Sequence, residues 1–370
     1  MVYVLLLGGF FISSAFALNQ KKIINKKIYL LVNFFAMSLV VGLRGESVGE
    51  DTITYLNIAK VASNYSLSEI VRHFPYSTWN IISYGVYGSY NEKIETGYFL
   101  LNKLIVIVFG TPQAVLLVCA LLTQFFMAKF LLDNAEEKKF LFWGTLIYLC
   151  ESIFFSQINI MRQSLAMAIA LQAINPLKNG KIKKALIWMF LACNIHTSAA
   201  AYVILIPLFV IRNRRKLLWI AFIASATLPV TISIARKILP LVGLARYSMY
   251  LQVSYWKTSI GGTTIIWMLI TLLIGIMLYQ KQYEGFNGIL ISLMMIYISL
   301  EIAAISFTAL GRIATYFRVF EILFFPRAIE CMPSYKSKTC VKLILTVLML
   351  LSFYSYITNP ARTYISCFKN

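Results

Sequence analysis

Histidine is almost absent from this 370-residue chain: there are two, beside only 14 acidic residues, and no HExxH or CxxC spacing. That scarcity excludes a legible zinc or iron cluster, and neither a metal nor a cofactor is expected. The six cysteines are scattered rather than spaced as a framework, which excludes a disulfide-stapled secreted fold. No P-loop and no GxGxxG is present, so any chemistry must draw on a substrate that arrives already activated. Charged residues make up only 13% of the chain and hydrophobic ones 59%, with a mean hydropathy of +0.75. Soluble domains carry about a quarter charged residues, so a soluble globular protein and a disordered one are both excluded.

What the chain has in quantity is apolar length. A spanning helix needs about 20 mostly apolar residues. Segments of that kind run over Val2 to Leu18, Ile28 to Leu43, Gln113 to Leu132, Phe140 to Phe155, Leu217 to Ala235, Thr263 to Tyr279, Phe286 to Phe307 and Val341 to Ile357. Shorter or more polar ones cover Tyr98 to Phe109, Gln163 to Ile174, Ala185 to Asn194 and Thr197 to Ile211. The expectation is an all-α polytopic transmembrane helix bundle of about 10–13 helices. It forms a single integral membrane domain over residues 1–370, with one large extracytoplasmic loop over 44–97 that holds short amphipathic helices.

The net charge of +20 comes from 34 Lys+Arg against 14 Asp+Glu. In a soluble protein this would point to nucleic acid; in a bilayer the positive-inside rule accounts for much of it, and no nucleic-acid partner is expected. Met1 to Leu18 lacks a basic n-region and reads as a retained first helix with its N-terminus outside. Lys21, Lys22, Lys26 and Lys27, and the basic loops at 178–184, 212–216 and 336–342, then lie in the cytoplasm. This leaves a parity conflict, because only one crossing fits between an outer loop and cytoplasmic Lys138 and Lys139. Tyr98 to Phe109, about 18 Å long as a helix, is taken as re-entrant or interfacial; a hidden span in the long loop is the other solution.

With this orientation the outer side carries Arg44, Arg72, Arg162, Arg236, Arg246, Arg312, Arg318 and Arg362, against the rule. Guanidinium forks bind phosphate oxygens bidentately, so a phosphate-bearing ligand at the outer leaflet fits, with snorkelling to lipid phosphates as the alternative. Arg162 and Gln163 fall in the first turn of a helix after a polar patch, where free N–H groups favour an anion. His196 is the polar break in the run from Ala185 to Ile211. Basic residues flank both ends of that run, so it turns there and sets the imidazole at a helix start, a candidate general base or a buried structural histidine. Asp51, in a glycine-bearing loop after Arg44, is a candidate carboxylate. Arg312 and Arg318 diverge by roughly 120° around one helix, with Arg312 the better placed. Arg246 lies among tyrosines and Trp256, aromatics that suit sugar faces and equally the membrane belt.

Read in order, these residues resemble the EpsG family of Wzy-like bacterial polysaccharide polymerases. The resemblance rests on Arg44 with Gly49-Glu50-Asp51-Thr52 and Tyr55, then Glu95-Thr96-Gly97-Tyr98, Asn159-Ile160-Met161-Arg162-Gln163-Ser164-Leu165-Ala166, His196-Thr197-Ser198-Ala199, and Arg312 with Tyr316-Phe317. It implies a metal-independent, GT-C-like glycosyltransferase at the outer face of the bacterial cytoplasmic membrane. Its substrates would be undecaprenyl-pyrophosphate-linked donor and acceptor oligosaccharides for O-antigen, capsule or exopolysaccharide. A chain-length regulator and a flippase are candidate partners, beside membrane lipid. In this scheme Arg162, with Arg44 or Arg312, holds the pyrophosphate, Gln163, Arg246 and Arg318 are further substrate contacts, and His196 or Asp51 serves the acceptor hydroxyl. An O-antigen ligase, a membrane acyltransferase and a flippase are the rival readings.

Overall fold

The computed structural model describes residues 1–19, 26–74, 78–85, 88–135, 137–211, 262–282, 285–304, 309–359 and 363–368, with isolated positions between 223 and 241. Leu217 to Ala235 therefore falls largely outside the described residues, and Arg236, Arg246 and Arg362 lie outside them altogether. The chain divides into two compact units, Met1–Val203 with Leu343–Asn370, and Ile204–Lys342.

The first unit is built on α1 (Val2–Asn19), α2 (Lys26–Gly42) and, past the long loop, α6 (Gln113–Asn134). Helices α2 and α6 run antiparallel: the Gln113 side-chain amide at the head of α6 donates to the Arg44 carbonyl just beyond α2, at 2.9 Å. Gly42 lets them touch, since a Cβ there would sit 2.6 Å from the Leu117 Cα. Polar residues buried in these helices are satisfied inside their own backbone, as an apolar surrounding demands. Ser38 donates to the Phe34 carbonyl, Thr123 to Cys119 and Asn134 to Phe130, each four residues back. A buried relay from Gln124 through Gln157 to Tyr148 ties α6 to the segment 148–157.

Among the described residues three helices are long and apolar enough to cross a membrane: α6, α14 (Gly285–Ala304) and α17 (Tyr335–Ile357). Shorter apolar helices cover Val2–Ala17, Thr96–Phe109, Thr197–Val210 and Thr264–Tyr279. Large apolar side chains stand exposed along α1 (Leu5, Ile12, Phe16) and α17 (Leu343, Val347, Leu351). In water such stripes would be an aggregation liability; on a helical membrane protein they are the lipid face. The expected span Phe140 to Phe155 is not one helix. It breaks at Glu151, which takes an extended backbone between α7 (Lys138–Cys150) and α8 (Ser152–Ser156), because an acidic residue interrupts the apolar run.

The loop after α2 holds the expected short helices, α3 (Thr52–Ser63) and α4 (Leu67–Arg72), the latter opened by a reciprocal Ser66–Glu69 capping box. It also holds an antiparallel hairpin that sequence reading missed, β1 (Thr78–Gly85) and β2 (Gly88–Glu95), with Thr78 opposite Glu95 and Gly85 opposite Gly88. The Trp, Ile and Tyr content of Thr78–Tyr84, between Pro75 and Gly85, was its signal. The hairpin docks on helices: Trp79 stacks on Phe99 at 4.7 Å, and the Asn57 amide of α3 donates to the Ile82 carbonyl. Helix α5 (Thr96–Phe109) rises about 21 Å, too short for a hydrocarbon core of about 30 Å. It packs against α3, α4, α6 and the helix Ile182–Ile195.

Beyond α8 come α9 (Met161–Ala170), a 3-10 turn, α10 (Ile174–Lys178) and α11 (Ile182–Ile195). A second 3-10 segment, Thr197–Ile204, leads to α12 (Leu205–Val210). In the second unit α13 (Gly262–Gln282) packs on α14, which also carries α15 (Ala309–Arg318) and α16 (Glu321–Glu330). Trp267 meets Phe325 edge-on at 5.3 Å.

Candidate active site

One carboxylate organises the first unit's polar centre. Glu95, the last residue of β2, precedes the first turn of α5 but leaves that helix uncapped by its side chain. Its Oε1 turns instead to His196 and Thr197: it accepts from the Thr197 N–H at 2.8 Å and hydroxyl at 2.9 Å, and lies 2.9 Å from His196 Nδ1. His196 is there because α11 ends at Ile195. The histidine is extended, and Thr197 starts the next helical segment with an unclaimed N–H. The helix start expected near His196 does bind an anion, and that anion is Glu95.

Arg162, in the first turn of α9 as expected, closes the cluster. Its Nη1 lies 3.2 Å from Glu95 Oε2, its Nη2 pairs with Glu92 of β2, and its guanidinium lies over the Tyr98 ring at 5.7 Å. Burial pushes the Glu95 carboxyl upward, but the His196 contact, the Arg162 charge and the Thr197 N–H outweigh it and bring the pKa down to about 2. An ionised Glu95 only accepts, so the proton of the imidazole resides on Nδ1 and the Nε2 lone pair is left open. Nε2 has no partner among the described residues, and the imidazole is one-quarter exposed.

That depressed pKa sets a pH dependence. Stability contributed by ionised Glu95 is complete above about 4.5, the ordinary carboxyl value, and is lost as pH falls through 4.5 toward about 2. Thermal unfolding in detergent between pH 6 and pH 3 is expected to show this loss, and Glu95→Gln to flatten it; an equal acid slope in both proteins would refute the assignment.

Close helix contact places these groups. A Cβ on Gly97 would sit 2.5 Å from the Asn194 carbonyl oxygen and 2.7 Å from its Cβ, so only glycine lets α5 lie on α11 with Glu95 at His196. Gly97→Ala is expected to cost about 1–3 kcal/mol of overpacking and to separate the pair. Polymer length in cells, with circular dichroism of the purified variant, checks this; wild-type polymer from a folded variant would show the contact is dispensable.

Arg44 sits elsewhere than expected. It is fully buried, and its guanidinium donates to the Thr52 hydroxyl (3.0 Å), the Val41 carbonyl (2.5 Å) and the Ile158 carbonyl (3.2 Å). Desolvation lowers its pKa to about 10, so it stays charged at neutral pH. It is an internal tie between the loop after α2 and the turn before α9. Asp51 stands at the head of α3 beside Tyr55, whose hydroxyl donates to the Asn159 carbonyl at 2.6 Å. Gln163 is buried in α9. The letters GxSxG do occur, at Gly45-Glu46-Ser47-Val48-Gly49, but they come after helix α2 and not after the sheet strand a nucleophile elbow requires.

A model of the EpsG family matches residues 27–369, nearly the whole chain. The chain belongs to the EpsG family. No curated protein and no solved structure matches it. EpsG proteins are Wzy-like polysaccharide polymerases, so this one is a polymerase of the glycosyltransferase kind that works on a lipid-linked oligosaccharide. In this EpsG protein Arg312 and Arg318 belong to the second unit. Arg312 is exposed, while Arg318 pairs with buried Glu321 at 3.7 Å and lies over Tyr297. The two thus differ in surroundings, as their angular separation predicts. Glu92, Glu95, Tyr98 and Tyr55 were the site residues sequence reasoning missed as participants. Tyr55, Glu95 and Tyr98 were visible only inside the family motif.

Proposed function

We propose that this protein extends a surface polysaccharide by moving the growing glycan from undecaprenyl pyrophosphate to the non-reducing-end sugar of the next lipid-linked repeat unit, at the outer face of the bacterial cytoplasmic membrane. The observation that carries the reading is the Glu95 carboxylate shared by His196, Thr197 and Arg162. Glu95 orients the imidazole, and His196 Nε2 takes the proton of the acceptor hydroxyl. The hydroxyl oxygen bonds to the donor's anomeric carbon as that carbon's bond to the pyrophosphate breaks, and the electron pair leaves with the undecaprenyl pyrophosphate.

Arg162 is the local cation for that leaving group. A donor phosphate replaces Glu92 on Nη2, while Glu95 keeps Nη1 and holds the guanidinium in place. Arg312 and Gln163 remain candidate donor contacts, and Asp51 a candidate positioning group for the acceptor. Arg44 acts by bracing the loop that carries Asp51.

The test is the glycan ladder on a gel from cells with the intact gene, a deletion, Arg162→Ala and His196→Ala at matched protein levels. Collapse to a single capped repeat unit is expected in all three altered strains. A deletion that keeps its ladder, with no other polymerase present, removes the reading; absence of any external unit would assign flippase activity instead.

A further inference from the structure

A cleft of about 100 Å³ opens at the turn before α9, lined by Tyr3, Gly49, Glu50, Asn159, Tyr356 and Asn359 with Val48 and Ile158. Its walls come from α1, the loop after α2, the turn before α9 and the end of α17, and they are built rather than incidental. Gly49 has φ +88, and a Cβ there would fall 2.5 Å from Ile158 Cγ2 and 2.7 Å from Asn159 Oδ1, so only glycine lets the loop close on Asn159. The Glu50 N–H donates to that same Oδ1 at 3.1 Å, and Arg44 fastens both segments from beneath.

The lining chemistry is two amides, one carboxylate and two tyrosines, with Val48 and Ile158 as aliphatic wall. No lysine or arginine lines the cleft among the described residues, and Glu50 repels an anion. Tyr356 is fixed by stacking on Phe155 at 3.6 Å and meets Tyr3 edge-on at 6.1 Å, an aromatic wall for a face of C–H bonds. Amides and a carboxylate for hydroxyls, with an aromatic wall for C–H, suit an uncharged polyol ring. The volume is below the roughly 300 Å³ at which pockets for whole drug-sized ligands begin, so the open cleft takes one face or edge of a single ring and no more. Asn159 precedes Arg162 by three residues, so the cleft lies within about 11 Å of chain from the arginine.

We propose that this cleft is a subsite for one uncharged sugar ring of the repeat unit, next to the ring that reacts at His196. The inference rests on the polymerase reading, and the experiment separates the two. The probe is the free repeat-unit oligosaccharide, released by mild acid from the polyprenyl carrier of a deletion strain and therefore without pyrophosphate. Its binding to full-length protein in nanodiscs is measured by calorimetry, and turnover of the intact lipid-linked unit is measured in parallel.

Glu50→Gln and Asn359→Ala are each expected to weaken probe binding about tenfold, the loss of one good hydrogen bond, and to raise KM for the lipid-linked unit alike with little change in kcat. Inorganic pyrophosphate is expected not to displace the probe. His196→Ala is expected to bind the probe as the intact protein does while losing turnover. Wild-type affinity and KM in both cleft variants, with melting temperatures unchanged, would overturn the subsite, as would displacement by pyrophosphate. Full turnover in His196→Ala beside weakened binding in the cleft variants would overturn the reaction scheme and leave the subsite standing.

Discussion

Glu95→Gln is expected to lower the turnover of lipid-linked repeat units by about 100-fold or more, to the level of His196→Ala, because a positioned general base supplies about that factor. The neutral amide can offer its NH₂ to Nδ1, which moves the imidazole proton to Nε2 and removes the lone pair facing the acceptor. It also ends the ionic hold on Arg162 Nη1. Glu95 and His196 then act as one unit, so the double variant Glu95→Gln/His196→Ala is expected to be no slower than either single one. Initial rates in nanodiscs, compared at equal amounts of folded protein, decide this. A drop below about threefold in Glu95→Gln would make the carboxylate a structural brace only, since one general base is worth far more.

Arg44→Ala is expected to act on the fold instead. The substitution empties a fully buried site and deprives the Val41 and Ile158 carbonyls of a charged donor. Together these effects cost on the order of 3–5 kcal/mol, much of the stability of an ordinary domain. Arg44→Lys is expected to restore little, because a single ammonium does not span acceptors on three segments. Fluorescence-detected size exclusion and melting in detergent measure the loss. An Arg44→Ala protein that accumulates and melts normally yet fails to polymerise would return Arg44 to the substrate.

Sequence reasoning reached the helical membrane architecture because apolar runs of spanning length leave few other folds. It also singled out Arg162 and His196, which the structure brings to one carboxylate, for a physical reason: a polar group inside an apolar run is costly and must have a partner or a task. The partners were the illegible part. The helix start at Arg162 looked like a site for an external anion and the one at His196 like the place of a general base or a structural histidine, and both hold carboxylates from a hairpin, Glu95 joined to His196 across 101 positions and Glu92 to Arg162 across 70. No local pattern encodes such pairings. The partners of Arg44 were illegible for the same reason: nothing near it in sequence announces that the Ile158 carbonyl, 114 residues away, will accept one of its hydrogen bonds. The hairpin itself was lost because its alternation was set against a loop already assigned to helices.

Those long separations impose an order on biogenesis. Glu92 and Glu95 leave the ribosome first as an acid pair without these partners, Arg162 joins them as α9 emerges, and His196 and Thr197 complete the set about 100 residues after Glu95. The cleft cannot form at that stage. Two of its walls, Tyr356 and Asn359, are translated about 160 residues after His196. A nascent chain thus has every member of the Glu95 cluster before it can close the cleft.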